Sequence, residues 1–202
     1  FQRSLALATN AAENGEMVLF GVPPTRPETG YGYIRGSQDA NTGLPDGIKR
    51  VAQFVEKPDE ARAQSYLGSG DYYWNSGMFL FRASVFLDEL KKHDPDIYDT
   101  CWVALERSVK NGDEVLIDPA TFACCPDNSI DYAIMEKADN LTVVGFSGRW
   151  SDLGGWDAVW REAQIDTPAW RGVVTDARST AIDCDDVLLD WQSRFTTFLH
   201  VL

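Results

Sequence analysis

The hydrophobic positions of the chain form short continuous runs separated by segments with helical spacing. MVLFGV, residues 17–22, is apolar on both faces, which predicts a strand covered on two sides. Apolar and polar residues alternate over Ile48–Pro58, which predicts a second strand. Ser84–His93 has apolar residues at helical spacing and a basic end, which predicts a helix. The resulting order, α, β, loop, β, α, β, α, α, β, α, β, predicts an α/β fold built on a mixed sheet.

The boundaries of the remaining elements follow from turn and capping residues. Pro favours the first helical turn, Gly-rich stretches favour loops, and Asn favours the residue before a helix. These rules predict a helix opening at Pro58, a loop over 68–77, a strand over 78–82, a helix over 94–110, and a helix after Asn128 in which Asp131 completes the cap.

The charge balance narrows the possible partners. The formal net charge is -13, and this argues against nucleic acid and anionic membranes, which are bound by clustered Lys and Arg. Phosphorylated small molecules remain possible if a local Lys or Arg and a bound cation offset the unfavourable field. The sequence has no apolar stretch of about 18 residues and no secretory signal in FQRSLALATN, so we expect a cytoplasmic protein. Four cysteines without a CxxC pair and two distant histidines argue against a zinc site.

Several polar positions have both a structural and a chemical interpretation. Gly30 and Gly32 bracket a bend in TGYGYI, either as a plain turn or to let backbone approach a ligand. Glu56 and Lys57 follow a predicted strand and are, in isolation, an ordinary exposed ion pair. Asn75 in WNSG is a turn residue or a donor and acceptor for a vicinal diol.

The segment WSDLGGW presents one carboxylate on a tight loop. Asp152 is followed by two glycines, and a carboxylate oxygen in a cleft can bind a hard cation. Helix capping is the alternative explanation. Asp131 and Glu136 in SIDYAIMEK are explained by capping and by a solvated helix face, so we leave both out of the candidate site.

Five segments occur in an order that is far more specific than any of them alone. They are FGVPPTRPETGYGYI, FVEKPD, YYWNSGMFLF, SIDYAIMEKADNLTVVGF and WSDLGGWDAVW. Over Glu16–Glu162 they resemble the bacterial mannose-1-phosphate guanylyltransferases, including the guanylyltransferase part of the bifunctional phosphomannose isomerase enzymes. The resemblance implies a Rossmann-like, glycosyltransferase-A-like nucleotidyltransferase domain with helices on both faces of a mixed sheet.

The resemblance also implies roles for particular residues. Gly32, with Gly30 shaping the turn, Glu56 and Asn75 would bind sugar hydroxyls. Lys57 would hold the sugar phosphate. Asp152 would bind Mg²⁺ together with a second aspartate that the family has earlier in its chain and this sequence lacks. The implied substrates are GTP and mannose-1-phosphate, and the implied products are GDP-mannose and pyrophosphate.

The family's glycine-rich nucleotide loop has no counterpart before Glu16. We therefore expect residues 1–165 to form an incomplete catalytic domain, truncated at its N-terminus and inactive alone, and residues 166–202 to begin a further β region. An exposed apolar sheet edge would either pair with a second copy to give a homodimer or leave the chain marginally stable. Two alternatives stay open: a nucleotidyltransferase for another sugar-1-phosphate that uses UTP or dTTP, and a noncatalytic sugar-phosphate-binding module.

Overall fold

The computed structural model describes residues 1–39, 43–166, 174–175, 187–193 and 196–201. The chain divides into two compact units, residues 1–148 and residues 149–202. The boundary predicted between residues 165 and 166 concerns membership of the catalytic domain and stays a prediction.

The described elements of the two units follow in chain order. The helices are α1 Gln2–Glu13, α2 Glu60–Ser69, α3 Ala83–His93, α4 Pro95–Glu106, α5 Pro119–Phe122 and α6 Trp156–Asp166. The strands are β1 Met17–Val22, β2 Tyr33–Gly36, β3 Ile48–Val55, β4 Tyr72–Leu80, β5 Val109–Asn111, β6 Glu114–Leu116, β7 Leu141–Gly145, β8 Val174–Thr175, β9 Val187–Ser193 and β10 Thr196–Val201. A single π-helical turn spans Asp131–Met135.

Five strands of the first unit form one mixed sheet in the order β1-β4-β2-β3-β7. β1 and β7 run parallel, and the other neighbours run antiparallel. β7 also pairs with β3, so each of these five strands has two hydrogen-bonded neighbours. The open apolar edge expected from the sequence is therefore wrong for the described sheet, because β3 pairs with β7 through residues 48–50 and with β2 through residues 51–55.

β1 confirms the prediction of a strand covered on two sides. All six of its residues are buried. Met17 and Leu19 belong to one apolar cluster, and Val18 and Phe20 belong to another. The buried alanines of α1 pack in the second cluster, and residues of α3 and the π-turn pack in the first. Helical segments thus cover both faces of this strand, as the alternation of side chains along a strand requires.

Three element boundaries differ from the sequence-based expectations. β4 begins at Tyr72, inside the predicted loop, because Tyr72 and Trp74 are inward-facing and buried. β3 ends at Val55, and α2 begins at Glu60 after Asp59, whose side chain accepts a hydrogen bond from the Arg62 N–H. α4 ends at Glu106, and a short β5-β6 hairpin follows.

The predicted helix after Asn128 is a single π-turn, and Asn128 does not cap it. Its Nδ2 donates instead to Asp94 Oδ2 over 2.9 Å. The residue before the π-turn is Ile130, and no side chain caps the turn. Asp131 is therefore not explained by capping. Among the described helices, none has the length and apolarity needed to cross a bilayer.

Candidate functional site

Glu56, Gly32 and Asn75 lie in one row across β3, β2 and β4. Tyr33 pairs with Val55 on one side and with Trp74 on the other. Continuing both registers by one residue places Gly32 between Glu56 and Asn75, and the Asn75 N–H donates to the Gly32 carbonyl over 2.7 Å. Directly paired residues of neighbouring strands present their side chains on the same face. The pairing therefore brings together three residues that are distant in sequence.

Gly32 is required at the centre of this row by its neighbours. A Cβ atom at residue 32 would lie 2.7 Å from Glu56 Oε2 and 3.2 Å from Asn75 Cβ. Any larger residue would have to displace one of these side chains. The glycine leaves room for the carboxylate and the amide to approach each other over the sheet.

Lys57 leaves the row on a strained turn. Its backbone φ is 45°, a left-handed conformation that non-glycine residues seldom adopt. Its Nζ lies 3.2 Å from Glu56 Oε1, and its side chain is 61% exposed, whereas that of Glu56 is 9% exposed. The turn thus places one accessible cation beside a nearly buried carboxylate.

Asn75 has its amide held at both polar atoms. Oδ1 accepts the Gly77 N–H over 3.1 Å, and Nδ2 donates to Asp131 Oδ1 over 3.2 Å. Gly77 adopts a φ of 71°, which brings its N–H back toward the preceding side chain. An amide group has two donor hydrogens and two acceptor lone pairs, so one donor and one acceptor position of Asn75 remain for another partner.

The π-turn and the residue that follows it contribute two further carboxylates to the site. Asp131 contacts Asn75, and Glu136 Oε1 accepts the backbone N–H of Glu56 over 3.3 Å. Three of the four residues between them, Ala133, Ile134 and Met135, are buried in the core and anchor the turn. Single π-turns are rare and are frequent at functional sites. One short segment therefore contacts the row at two of its members.

Burial and neighbouring charges alter the ionisation of this cluster. Burial is the main cause that raises the pKa of Glu56 above its ordinary value, against the lowering effect of Lys57. Burial likewise raises the pKa of Asp131, against its hydrogen bond from Asn75. The hydrogen bond to Glu56 raises the pKa of Lys57, which keeps that side chain charged. The site thus combines several carboxylate hydrogen-bond acceptors with the ammonium group of Lys57, which stays charged.

Gly30 lies on the approach to the row, in a turn held by Glu28. Glu28 Oε1 accepts the Gly30 N–H over 3.2 Å, and Arg26 Nη2 lies 3.0 Å from the other oxygen of that carboxylate. The Tyr33 hydroxyl accepts the backbone N–H of Glu28 over 2.9 Å. Gly30 lies in the turn that leads to Gly32, and its roles in shaping this turn and in ligand binding stay predictions.

Asp152 lies in the second unit, on the loop before α6. The residue is exposed, and a Cβ on Gly154 would lie 2.7 Å from Asp152 Oδ2, so the glycine makes space for the carboxylate. Leu153 between them has a φ of 51°, which turns the backbone sharply. The loop therefore presents an exposed carboxylate, as the sequence predicts.

The residues available for a metal are few. No group of three or more His, Cys, Asp or Glu side chains with metal-binding geometry occurs within the described part of the chain. Mg²⁺, however, is commonly bound by one or two carboxylates with water and substrate phosphates completing its shell. Asp152 is an exposed carboxylate whose oxygen is of the type that Mg²⁺ prefers, and its role as a metal ligand stays a prediction.

Sequence reasoning missed Asp131 and Glu136 as members of the site. Asp131 does not cap the π-turn and contacts Asn75 instead. Glu136 is exposed, as its surface interpretation requires, and it also accepts the backbone N–H of Glu56. The signal that was available is that both residues lie in one of the five segments that resemble a known family. Their polar side chains flank the apolar triplet AIM, which is the arrangement that the buried π-turn requires.

Comparison with known proteins defines the class of protein. Residues 1–168 match the family described as Nucleotidyl transferase, and the chain belongs to this family of enzymes. The chain is 68% identical over 160 residues to the alginate biosynthesis protein AlgA of Pseudomonas aeruginosa, covering 79% of this chain and 33% of that protein. It is 44% identical over 203 residues to the mannose-1-phosphate guanylyltransferase of Salmonella montevideo, covering 100% of this chain and 42% of that protein.

A solved structure supports the fold. The crystal structure described as mannose-1-phosphate geranyltransferase from Thermus thermophilus is similar with a TM-score of 0.76 and 26% identity, covering 98% of this chain and 59% of that one. This likeness confirms a nucleotidyltransferase-like α/β fold with a mixed sheet. The chain spans 33% to 42% of the length of the two curated relatives named above.

Proposed function

We propose that this chain carries the acceptor-sugar side of a mannose-1-phosphate guanylyltransferase, which makes GDP-mannose and pyrophosphate from GTP and mannose-1-phosphate. The observation that carries the proposal is the row of Glu56, Gly32 and Asn75 with Lys57 beside it. Hydroxyl acceptors and donors next to one cation suit a sugar that bears a single phosphate. The name of the Salmonella relative, at 44% identity, supports mannose as the sugar and GTP as the nucleotide.

The site residues divide the substrate between them. Glu56 accepts hydrogen bonds from sugar hydroxyls, and the spare donor and acceptor of Asn75 bind a neighbouring pair of hydroxyls. The exposed ammonium of Lys57 binds the phosphate. The carboxylates of the site repel a phosphate, so they favour the orientation in which the hydroxyls face the row and the phosphate faces Lys57.

The proposed reaction transfers a nucleotidyl group in line. A phosphate oxygen of mannose-1-phosphate forms a new bond to the α-phosphorus of GTP, while the bond from that phosphorus to the bridging oxygen breaks and pyrophosphate leaves with the electron pair. The side chains take no covalent part, and their contribution is to orient and neutralise the two anions. Lys57 would hold the attacking phosphate at a fixed position.

Mg²⁺ is the proposed cofactor, with Asp152 as one of its ligands. When bound, it would neutralise phosphate charge and help orient the two substrates. Asp152 alone of the described candidates combines exposure, a glycine-supported loop and the resemblance to a metal-binding motif.

We further propose that the 202 residues alone do not turn over GTP. Residues 2–13 before β1 form a helix and supply no glycine-rich phosphate loop. Assays of pyrophosphate release by the 202-residue chain with GTP, mannose-1-phosphate and Mg²⁺ test whether this chain is inactive alone. Turnover that EDTA abolishes would contradict the proposed inactivity.

The Rossmann-like description of the domain, the cytoplasmic location and the homodimer also remain proposals.

Ligand binding to the chain tests the proposed site directly. Calorimetric titration should show that mannose-1-phosphate binds, and that Glu56→Gln and Asn75→Ala both weaken this binding while each variant keeps a cooperative unfolding transition. Preference for glucose-1-phosphate would favour another sugar nucleotidyltransferase. A chain that binds neither sugar phosphate would overturn the proposed site.

A further inference from the structure

The amide of Asn75 can serve a sugar only if it has one defined orientation. Oδ1 and Nδ2 are nearly equal in size, and packing alone does not distinguish the two orientations. Rotation of the amide by 180° would exchange a donor for an acceptor at each ligand-facing position. A residue that fixes this rotation would decide which hydroxyl geometry the site accepts.

The structure contains two contacts that together fix the rotation. In the observed orientation, Nδ2 donates to Asp131 Oδ1 over 3.2 Å, and Oδ1 accepts the Gly77 N–H over 3.1 Å. After rotation, the amide oxygen would face the Asp131 carboxylate and the amide N–H groups would face another N–H. Both exchanged contacts would be repulsive. Asp131 supplies the side-chain half of this selection, and the backbone of Gly77 supplies the other half.

The π-turn holds Asp131 where it can perform this task. Ile134 and Met135 are almost fully buried, so the turn is anchored in the core. Asp131 lies at the beginning of the turn and is itself partly buried. A carboxylate without hydrogens can only accept, which makes it a better selector of an amide N–H than a hydroxyl or a second amide would be.

We propose that Asp131 is a positioning residue that fixes the orientation of the Asn75 amide and thereby sets how the site reads sugar hydroxyls. This inference rests on the proposed function, because it assumes that Asn75 contacts the sugar. Asp131 makes its hydrogen bond to Asn75, and its charge also acts on Glu56 and Lys57. The proposed role depends on its capacity to accept that hydrogen bond, so the test must separate the hydrogen bond from the charge.

Three variants of Asp131 separate orientation from charge. Asp131→Leu has a similar shape and no acceptor, and Asp131→Asn is neutral but can still present an oxygen to Asn75 Nδ2. Asp131→Ala replaces the leucine variant if that protein fails to fold. We expect Asp131→Leu to weaken mannose-1-phosphate about three- to tenfold, the loss of one hydrogen bond, and Asp131→Asn to recover most of the affinity.

The matched control is Glu136→Gln, which removes a carboxylate from the same π-turn segment without a contact to Asn75. Each change is also made together with Asn75→Ala. The effect of Asp131→Leu should disappear when Asn75 is absent, while the effect of Glu136→Gln should persist, because only coupled residues are non-additive. Free mannose serves as a second ligand, because removal of a negative charge alone would strengthen the phosphate ester more than the neutral sugar.

The outcomes distinguish this inference from the proposed function. Equal effects of Asp131→Leu and Asp131→Asn, or an effect of Asp131→Leu that persists beside Asn75→Ala, would overturn the positioning role while the sugar site remains. If wild type fails to bind mannose-1-phosphate, or Asn75→Ala binds it normally, the proposed sugar site itself is wrong, and the positioning role fails with it. Rescue by asparagine together with coupling to Asn75 supports the inference.

Discussion

The row across β3, β2 and β4 and the loop that carries Asp152 present polar groups in opposite ways. In the row, Glu56 is nearly buried, and Asn75 has hydrogen-bond partners at both of its polar atoms. On the loop, Asp152 is exposed. Its position is set by the backbone bend at Leu153 and Gly154, and not by strand pairing. The row is fixed before a ligand arrives, whereas the loop offers a carboxylate to the solvent.

The difference indicates what each region can contribute. Fixed donors and acceptors recognise the geometry of a neutral, hydroxylated molecule, since misplaced hydroxyls leave buried groups without partners. An exposed carboxylate has little geometric selectivity by itself, and it gains strength when a cation and phosphates complete the arrangement. Changes in the loop should therefore alter turnover, and changes in the row should alter affinity.

The largest effect is expected from Asp152→Asn, tested in a protein that carries this chain and performs the proposed reaction. Turnover should fall by roughly a hundredfold or more, because a metal ion supplies several kcal/mol of charge stabilisation and loses a charged ligand. The exposed side chain contributes little to folding, so the unfolding temperature should not change. Activity at several Mg²⁺ concentrations measures the effect. Wild-type turnover in this variant would remove Asp152 from the metal site.

Lys57→Ala should have the next largest effect, and the effect should depend on the phosphate. A charge-assisted contact contributes about 1.5–3 kcal/mol, or about 10- to 150-fold in affinity for mannose-1-phosphate. Free mannose should be much less affected. Lys110→Ala, which removes a cation from the exposed β5, is the matched control and should change neither ligand. Equal losses for both ligands would show that Lys57 supports the turn instead.

Gly32→Ala tests the crowding at the centre of the row. The new Cβ would lie 2.7 Å from Glu56 Oε2, so the carboxylate must move and sugar affinity should fall by about tenfold, the lower range of overpacking costs. Gly68→Ala is the control, because its Cβ position in α2 has no atom within 4 Å apart from its chain neighbours and the backbone of its own helix. That variant should bind normally and be stabilised by about 0.5–1 kcal/mol. Similar affinity in both variants would mean that Glu56 does not need its observed position.

The contrast between the two regions also explains what the sequence could predict. β1 was predictable because a continuous apolar run indicates a strand that is buried on both faces. The loop at Asp152 was predictable because two adjacent glycines indicate a tight turn. The row was not, since it depends on the register of three strands that are far apart in sequence.

Asp131 shows the same limit at a single residue. An aspartate three positions after an asparagine is commonly a cap, and only the π-turn and the neighbouring β4 reveal its contact with Asn75. The candidate residues Glu56, Lys57 and Asn75 came from family resemblance, and strand pairing supplies the physical reason that they meet.

The smallest expected effect concerns the contribution of Glu56 to the free energy of unfolding. Burial raises the pKa of Glu56, so between its ordinary value and the raised value the folded protein binds more protons than the unfolded one. The free energy of unfolding must therefore fall as the pH rises through that window, and ionised Glu56 lowers the stability of the folded protein at neutral pH.

Glu56→Gln removes this titration. Its stability relative to wild type should thus increase as the pH rises from the ordinary pKa of a glutamate through the raised pKa of Glu56. Urea unfolding at several pH values measures the difference, with Glu114→Gln on the exposed β6 as a control that should follow wild type. A Glu56→Gln curve parallel to that of wild type would show that Lys57 compensates fully for burial, and the row would then bind its ligand without a cost in stability.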